Sequence, residues 1–280
     1  MNESYVISMS VISGDPLGLI LVEKSGWVGR VISLPRNYSG QLDRCGLDSP
    51  GVYFLIGDSE SEFSKPLLYI GEAEKISDRL ATHQGDREKD FWTKTIVFVS
   101  KDKTLNKADV KYMESELIEI ARSVNTWKVT NKKSSLRSSL SGPDEIKTKG
   151  FLTTLKQILP LMGLNAFVMP EVVGGKIFSV SGPCCRAKGE DQAGGFLVLK
   201  DSLARKQVTA SFPSGYKAIR AGLIDDGLFE DEGDSFRLNS NYLFTSGSTA
   251  ASVFLGRSAN GRSEWKDELG KSLGEVQVQK

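Results

Sequence analysis

The 280-residue sequence is poor in cysteine, with only Cys45, Cys184 and Cys185. Two of the three are adjacent, so they do not provide the paired Cys-x-x-Cys spacing of a structural zinc site, and we expect reduced thiols. Long apolar runs are also missing. The stretch from Ile158 to Leu164 is interrupted by Pro160 and is far shorter than the roughly 20 residues that span a bilayer. The sequence therefore predicts a protein without a transmembrane helix.

The chain also lacks an excess of charge of one sign. Lys and Arg total 36 and Asp and Glu total 35, so the formal net charge is only +1. The whole-chain charge thus gives no indication of nucleic-acid binding, and any such surface has to be local. The N-terminal sequence MNESYVIS has neither a basic start nor a long apolar stretch, which argues against a cleaved secretory signal. We expect a cytoplasmic protein.

The composition is otherwise that of an ordinary globular protein, with 39% hydrophobic and 25% charged residues. Because a single hydrophobic core rarely grows beyond roughly 250–300 residues, this length predicts two domains. The serine-rich stretch KKSSLRSSLS, residues 132–141, is typical of a flexible connection. We predict a strand-rich N-terminal segment at 1–48, a first domain at 49–135, a linker and helix at 136–165, and a C-terminal domain at 166–280.

Two strand-like runs, GVYFLI (51–56) and LLYI (67–70), flank a polar connection and predict an antiparallel hairpin. A helix over about 73–84, a strand over 95–99 and a helix over 108–124 follow. This order predicts an α+β fold in which a small antiparallel sheet is flanked by helices. A helical pattern over about 148–162, glycine pairs, short strand-like runs and a helix over 248–255 predict a mixed α/β C-terminal domain.

Arg79 and His83 lie four residues apart on the first of these helices, beside the apolar stripe of Ile76 and Leu80. Residues at this spacing are neighbours on a helix surface, so a guanidinium and an imidazole are presented together next to the sheet. For an isolated pair, a surface cation near a half-buried histidine is the ordinary interpretation. Function becomes the better interpretation only with further residues around the pair.

Glu114 falls inside the arc formed by the apolar residues of the second helix, whereas Glu116 and Glu119 project to the other side. A carboxylate on a buried face is costly unless it is paired or bound to a cation. A salt bridge to Arg79 would explain its position. A divalent metal held by Glu114 opposite Arg79 and His83 would explain it equally.

The two strands carry a more specific pattern, because Gly51-Val52-Tyr53 is followed by Tyr69-Ile70-Gly71. The pair resembles the signature strands of the GIY-YIG nucleases. In that family the second triplet is followed by a helix with an arginine ten residues after the tyrosine and a histidine four residues later. Arg79 and His83 occupy these positions in YIGEAEKISDRLATH.

The second helix continues the resemblance, since Lys111-Tyr112-Met113-Glu114 is similar to the family's helix with its metal-binding glutamate. Asn131 stands where these proteins often place a last polar residue, and Asn125 is a less favoured substitute. The resemblance covers residues 50–132. It implies a GIY-YIG-like fold with the catalytic residues Tyr53, Tyr69, Arg79, His83, Glu114 and Asn131.

The activity implied by this resemblance is metal-dependent hydrolysis of DNA phosphodiester bonds by an endonuclease. Tyr53 or Tyr69 would take the proton from the attacking water, and Arg79 would favour the phenolate and contact the phosphate. His83 would hydrogen-bond a phosphate oxygen or a tyrosine hydroxyl. Glu114 would hold one Mg²⁺ or Mn²⁺ beside the leaving oxygen.

Two positions depart from the family pattern. The connection after Tyr53, residues 54–66, is longer than in compact family members. Glu72 stands directly after the YIG triplet, where the excision-repair relatives carry a lysine, and Lys75 could take over that role. The alternative function is therefore a nucleic-acid-binding protein that keeps the GIY-YIG scaffold without cleaving.

DNA contact would come from a basic stretch with only two anions, Asp144 and Glu145, although a solvated linker explains the stretch equally well. Its cations are Arg122, Lys128, Lys132, Lys133, Arg137, Lys147, Lys149 and Lys156. The segments AGGFLVLKDSLA, residues 193–204, and LFTSGSTAASVFLGRSANGRSEWKDELGKSL resemble a C-terminal domain of unknown function that accompanies many bacterial GIY-YIG proteins. Such a domain would select the DNA substrate or a protein partner.

Overall fold

The computed structural model describes residues 4–38, 47–59, 65–132, 138–192 and 194–278, except for the side chain of Glu88. Within these ranges the chain forms two compact units that meet in sequence between Val168 and Met169. Cys45 lies outside the described residues, as do Lys133 and Arg137 of the basic stretch. Cys184 and Cys185 are free thiols.

The first unit is built on a seven-stranded sheet with the order β1-β2-β3-β6-β4-β5-β7. Every neighbouring pair is antiparallel except β5 and β7, which are parallel. The strands are β1 Ile7–Val11, β2 Ile20–Lys24, β3 Gly29–Pro35, β4 Gly51–Gly57, β5 Leu67–Ala73, β6 Lys94–Ser100 and β7 Lys128–Val129.

The strand-rich N-terminal segment is not a separate piece, because β3 pairs along its whole length with β6, from Gly29 opposite Ser100 to Pro35 opposite Lys94. The predicted small sheet is therefore larger than expected. Its three N-terminal strands extend the same sheet that holds the two signature strands β4 and β5.

Three helices accompany this sheet: α1 Ile76–Gln84, α2 Lys107–Val124 and α3 Gly142–Ile158. The first begins three residues later than predicted because Ala73 still pairs with Gly51 in the sheet. The second begins at a capping box, in which Asn106 and Asp109 bond each other's backbone amides. It ends at Asn125, which adopts a left-handed conformation with φ of 55°.

The two faces of the sheet carry different helices, as the alternation of side chains along each strand requires. Val52 and Phe54 pack with the apolar residues of α2 and α3. Tyr53 and Leu55 pack with those of α1. Strand β6 divides in the same way, so α1 covers one face of the sheet and α2 with α3 covers the other.

The helix α3 is part of the first unit and not of a linker. Phe151, Leu155 and Ile158 are buried in the core that they share with α2 and the sheet. The fully buried carboxylate of Asp109 accepts from Lys147 Nζ at 2.9 Å and from Thr148 Oγ1 at 3.1 Å. An apolar contact and a buried polar contact thus join α3 to α2, and the boundary falls after residue 168.

The second unit pairs seven strands, all antiparallel, in the order β12-β13-β11-β9-β10-β14 with β8 beside β9. Its strands are β8 Ile177–Gly182, β9 Cys185–Gln192, β10 Gly195–Val198, β11 Leu203–Arg205, β12 Phe229–Glu232, β13 Ser235–Leu238 and β14 Tyr242–Phe244. Its helices are α4 Ser214–Asp225, α5 Gly247–Leu255, α6 Gly261–Glu264 and α7 Leu273–Val278.

The helix predicted over 248–255 is confirmed as α5, which begins at Gly247 after the cap residue Ser246 and packs its buried side chains into the core of the second unit. The α+β class is confirmed for the chain. None of the helices in the described part of the chain is long and apolar enough to cross a membrane.

The position of α3 predicts where the chain can be cut. We expect a fragment ending at Val168 to unfold cooperatively in a circular dichroism melt, because it keeps the complete first unit. A fragment ending at Leu140 loses α3 and uncovers the core of the sheet, so it should show no cooperative transition. Equal melting temperatures for the two fragments would contradict this boundary.

Gly71 has no room for a side chain, because a Cβ at this position would collide with the ring and hydroxyl of Tyr53. We expect Gly71→Ala to lower the free energy of unfolding by about 1–3 kcal/mol. The matched control is Gly150→Ala, which adds a Cβ in open space on α3 and should stabilise by about 0.5–1 kcal/mol. Urea denaturation followed by tryptophan fluorescence measures both; similar effects would refute the packing argument.

Candidate functional site

The structure brings four of the six predicted site residues together on the face of the sheet that α1 covers. Tyr53 comes from β4, Tyr69 from β5, and Arg79 and His83 from α1. The Tyr53 hydroxyl lies 2.7 Å from His83 Nε2. Arg79 Nε donates to the same hydroxyl at 3.3 Å. One phenol oxygen therefore joins both residues of the helix.

The sheet register explains this arrangement. Tyr53 stands opposite Gly71, whose missing side chain leaves space for the phenol ring. Tyr69 stands opposite Leu55 and is the diagonal neighbour of Tyr53 on the same face, with ring centroids 6.2 Å apart. The Tyr69 ring also meets His83 edge-on, at 5.7 Å between centroids. Three aromatic rings thus form one packed group.

Burial controls the charge state of the inner residues. Tyr53 is fully buried and His83 is 1% exposed. Burial raises the pKa of Tyr53 well above its usual range; the nearby Tyr69 adds to this effect and Arg79 opposes it. Burial, together with the cations Lys89 and Arg79, lowers the pKa of His83 to about 4. At neutral pH the pair is therefore an uncharged phenol and an uncharged imidazole.

Arg79 and Tyr69 are the members that a substrate can reach. Arg79 is exposed and Tyr69 is half-buried. Arg79 lines a cleft of about 440 Å³ beside the cluster, formed by the end of β5, the outer side of α1 and the start of α2. The cleft-lining residues are Glu72, Ala73, Glu74, Lys75, Asp78, Arg79, Thr82 and Lys107.

The negative charge of Glu72, the residue that departs from the family pattern, is neutralised by an ion pair inside this cleft. Its carboxylate accepts from Lys107 Nζ at 2.9 Å. Lys75 lines the same cleft at the cap position of α1 and has no hydrogen bond from its side chain to the helix. The anion after the YIG triplet is thus paired with a cation from the first residue of α2.

Lys89 is a member of the cluster that the sequence did not indicate. It lies in a short 3-10 helix, Arg87–Lys89, after α1. Its ammonium is 3.4 Å from His83 Nδ1 and 3.9 Å from the centre of the Tyr69 ring. Helical spacing could not have found it, because the regular helix ends at Gln84.

Glu114 belongs to α2, which covers the face of the sheet opposite α1. Glu114 and Glu116 are both half-buried, whereas Glu119 is exposed. Burial therefore does not separate Glu114 from Glu116, as the prediction that Glu114 alone points inward requires. Arg122, two turns later and about 80° around the helix, donates to the backbone oxygen of Asn131 at 2.8 Å, so the side of α2 that carries Arg122 faces the β7 edge of the sheet.

The carboxylate of Glu114 is a suitable ligand for a hard cation only with help from water and substrate. No group of three or more His, Cys, Asp or Glu side chains that could hold a metal occurs among the described residues. Mg²⁺ commonly keeps several waters and binds through one or two carboxylates together with substrate phosphate. A single half-buried glutamate fits that kind of site.

Asn131 lies apart from the cluster and extends the sheet. Its side-chain amide donates to the backbone oxygen of Ile70 at 2.7 Å and accepts from the backbone amide of Ile70 at 3.1 Å. Both ends of the amide are thus engaged by β5. Asn125, the considered substitute, ends α2 and accepts from Lys65 Nζ at 2.8 Å.

The basic stretch is partly neutralised by ion pairs. Lys147 contacts Asp109 and Asp144, at 2.9 and 3.2 Å. Lys149 contacts Glu145 at 2.8 Å. These pairs occupy Lys147 and Lys149, two of the three cations of α3, so the stretch is not a continuous row of unpaired charge.

Comparison with known proteins identifies part of the second unit. No curated protein and no solved structure matches the chain significantly, and no GIY-YIG family model matches it. Residues 178–277, which cover β8 to α7 of the second unit, match the family model described as Domain of unknown function (DUF4357).

Proposed function

We propose that the chain is a metal-dependent DNA endonuclease of the GIY-YIG type. The observation that carries this proposal is the assembly of Tyr53, Tyr69, Arg79 and His83 around one phenol oxygen. These residues come from three elements, and the resemblance singled them out by sequence position alone. A structural core would not require an exposed arginine beside two tyrosines and a histidine.

The burial of the two tyrosines suggests different roles. Tyr53 is fully enclosed and its raised pKa keeps it protonated, so it is unsuited to accept a proton from water. Tyr69 is half-buried on the same face. Tyr69 is therefore the proton acceptor in this proposal, and Tyr53 organises the cluster from behind.

Arg79 would bind the phosphate of the DNA in this proposal. Its Nε is used by the Tyr53 hydroxyl, and the guanidinium also hydrogen-bonds Tyr69. A guanidinium has five N–H donors, so Arg79 still retains donors for phosphate oxygens. Its exposure on the cleft makes it the accessible cation of the cluster. Charge that develops on the phosphate during hydrolysis would be stabilised there.

Glu114 would hold Mg²⁺ or Mn²⁺, and a bound metal of this kind supplies charge stabilisation at the leaving oxygen. The second unit would select the substrate or a protein partner. A second candidate function is nucleic-acid binding without cleavage. It is favoured by the position of Glu114 on a helix of the opposite face, because a scaffold whose carboxylate stayed away from the cluster would bind without cutting.

Plasmid nicking by the full-length protein with Mg²⁺ or Mn²⁺ tests the endonuclease directly. We expect Tyr69→Phe and Arg79→Ala each to lower the rate by at least about 100-fold, because they remove a proton acceptor and a transition-state charge. The matched controls are Tyr5→Phe and Arg87→Ala, which change exposed residues outside the cluster and should cleave normally. DNA binding without nicking by the wild-type chain would favour the second candidate.

The metal ligand is tested with three glutamines on α2. Glu114→Gln should abolish nicking and weaken Mn²⁺ binding measured by water proton relaxation in the presence of DNA, because the amide has lost the charge that a hard cation requires. Glu116→Gln and the exposed Glu119→Gln should resemble the wild type. An effect limited to thermal stability in Glu114→Gln would mean that this carboxylate is only an ion-pair partner.

A further inference from the structure

The contact between Lys89 and His83 bears on which ring nitrogen of the histidine carries the proton. A lysine ammonium has three donors and no acceptor. Its nearest ring nitrogen on His83 is Nδ1, at 3.4 Å. Nδ1 can accept from this ammonium only when it has no proton of its own. Because the imidazole is neutral at pH 7, the single ring proton then resides on Nε2.

This tautomer fixes the direction of the hydrogen bond to Tyr53. His83 Nε2–H donates to the Tyr53 oxygen at 2.7 Å, and Arg79 Nε–H donates to the same oxygen at 3.3 Å. With two donors directed at its oxygen, the phenol proton is left to point elsewhere. Tyr69 is the adjacent phenol on this face. The opposite tautomer would set an Nδ1–H against the ammonium of Lys89.

The same ammonium lies over the Tyr69 ring, 3.9 Å from its centre. A cation at this place is attracted by the face of the ring. The charged groups near His83 are Arg79, Lys89 and Asp86. Lys89 contacts both His83 and Tyr69.

We propose that Lys89 is a positioning residue of this site, which holds His83 in the Nε2–H form, turns the Tyr53 hydroxyl toward Tyr69 and places a positive charge over the Tyr69 ring. This proposal rests on the endonuclease function.

The tautomer can be measured without any activity, because His83 is the only histidine in the sequence. Full-length protein labelled with ¹⁵N-histidine gives one pair of ring nitrogens in a long-range ¹H–¹⁵N spectrum. In the wild type we expect a protonated Nε2, a bare Nδ1 and an imidazole that stays neutral until about pH 4. In Lys89→Met the pKa of His83 should rise, because a repelling cation is gone, and the tautomers should mix.

Cleavage assays link this signature to the reaction. Lys89→Met should lower the nicking rate by about 10- to 100-fold, the rate equivalent of one hydrogen bond from a charged donor. Lys89→Arg should restore much of it. The control is Arg87→Met, which removes an equal charge from the same short 3-10 helix without contacting His83 and should affect neither the spectrum nor the rate.

The outcomes separate this proposal from the endonuclease itself. An unchanged tautomer and pKa in Lys89→Met would overturn the role of Lys89, whatever the rate. Equal losses of rate in Lys89→Met and Arg87→Met would overturn it too, since a general charge effect would then suffice. If the wild type does not nick DNA, the endonuclease is refuted and, with it, the catalytic purpose of Lys89; the spectra still decide whether Lys89 sets the tautomer.

Discussion

The first unit is organised around the hydroxyl of one buried tyrosine. Tyr53 has hydrogen-bond partners from two successive turns of α1 and no side chain opposite it on β5. A buried hydroxyl without partners would destabilise the fold, so the phase of α1 and the register of β4 against β5 have to agree. A one-residue slip of β4 would turn Tyr53 to the other face of the sheet, and a slip of β5 would turn Tyr69.

The two faces of the sheet accordingly do different work. The face under α2 and α3 is a conventional apolar core, fixed at one end by the buried Asp109 and its partner Lys147. The face under α1 combines apolar packing with the polar cluster. Strand β7 pairs with β5 only at Leu67 and Leu68, and Asn131 adds a bond at Ile70. To reach the cluster, a side chain on α2 therefore has to pass the C-terminal end of β5, which β7 does not cover.

Helical spacing in the sequence joined Arg79 to His83, and the resemblance to the signature strands singled out Tyr53 and Tyr69. The register of β4 against β5, which the sequence did not give, places the two tyrosines on one face. The sequence did not indicate Lys89, because this residue follows the end of α1 and helical periodicity does not relate it to Arg79 and His83. The phase of α2 gave the side of Glu114 but not which face of the sheet α2 covers.

The sequence also failed to predict the extent of the first unit, for a related reason. The pairing of β3 with β6 joins residues 59 to 71 positions apart in sequence, from Pro35 opposite Lys94 to Gly29 opposite Ser100. A local pattern predicts a strand without naming its partner. The packing of α3 is equally non-local, because Thr148 and Lys147 meet Asp109 across 38 or 39 residues. A polar, serine-rich stretch before α3 therefore suggested a domain end where the chain only turns back onto its own core.

The neutral imidazole of His83 also affects how the whole chain responds to acidity. Histidine is the side chain that ordinarily changes charge between about pH 5 and 7, and the single one here is held uncharged down to about pH 4. Between about pH 6 and 7, above the usual pKa range of carboxyl groups, the net charge of the folded chain is consequently almost constant. Its long-range attraction to any charged ligand should then vary little with acidity, so a pH-dependent rate measured there would report on the reacting atoms and not on the encounter.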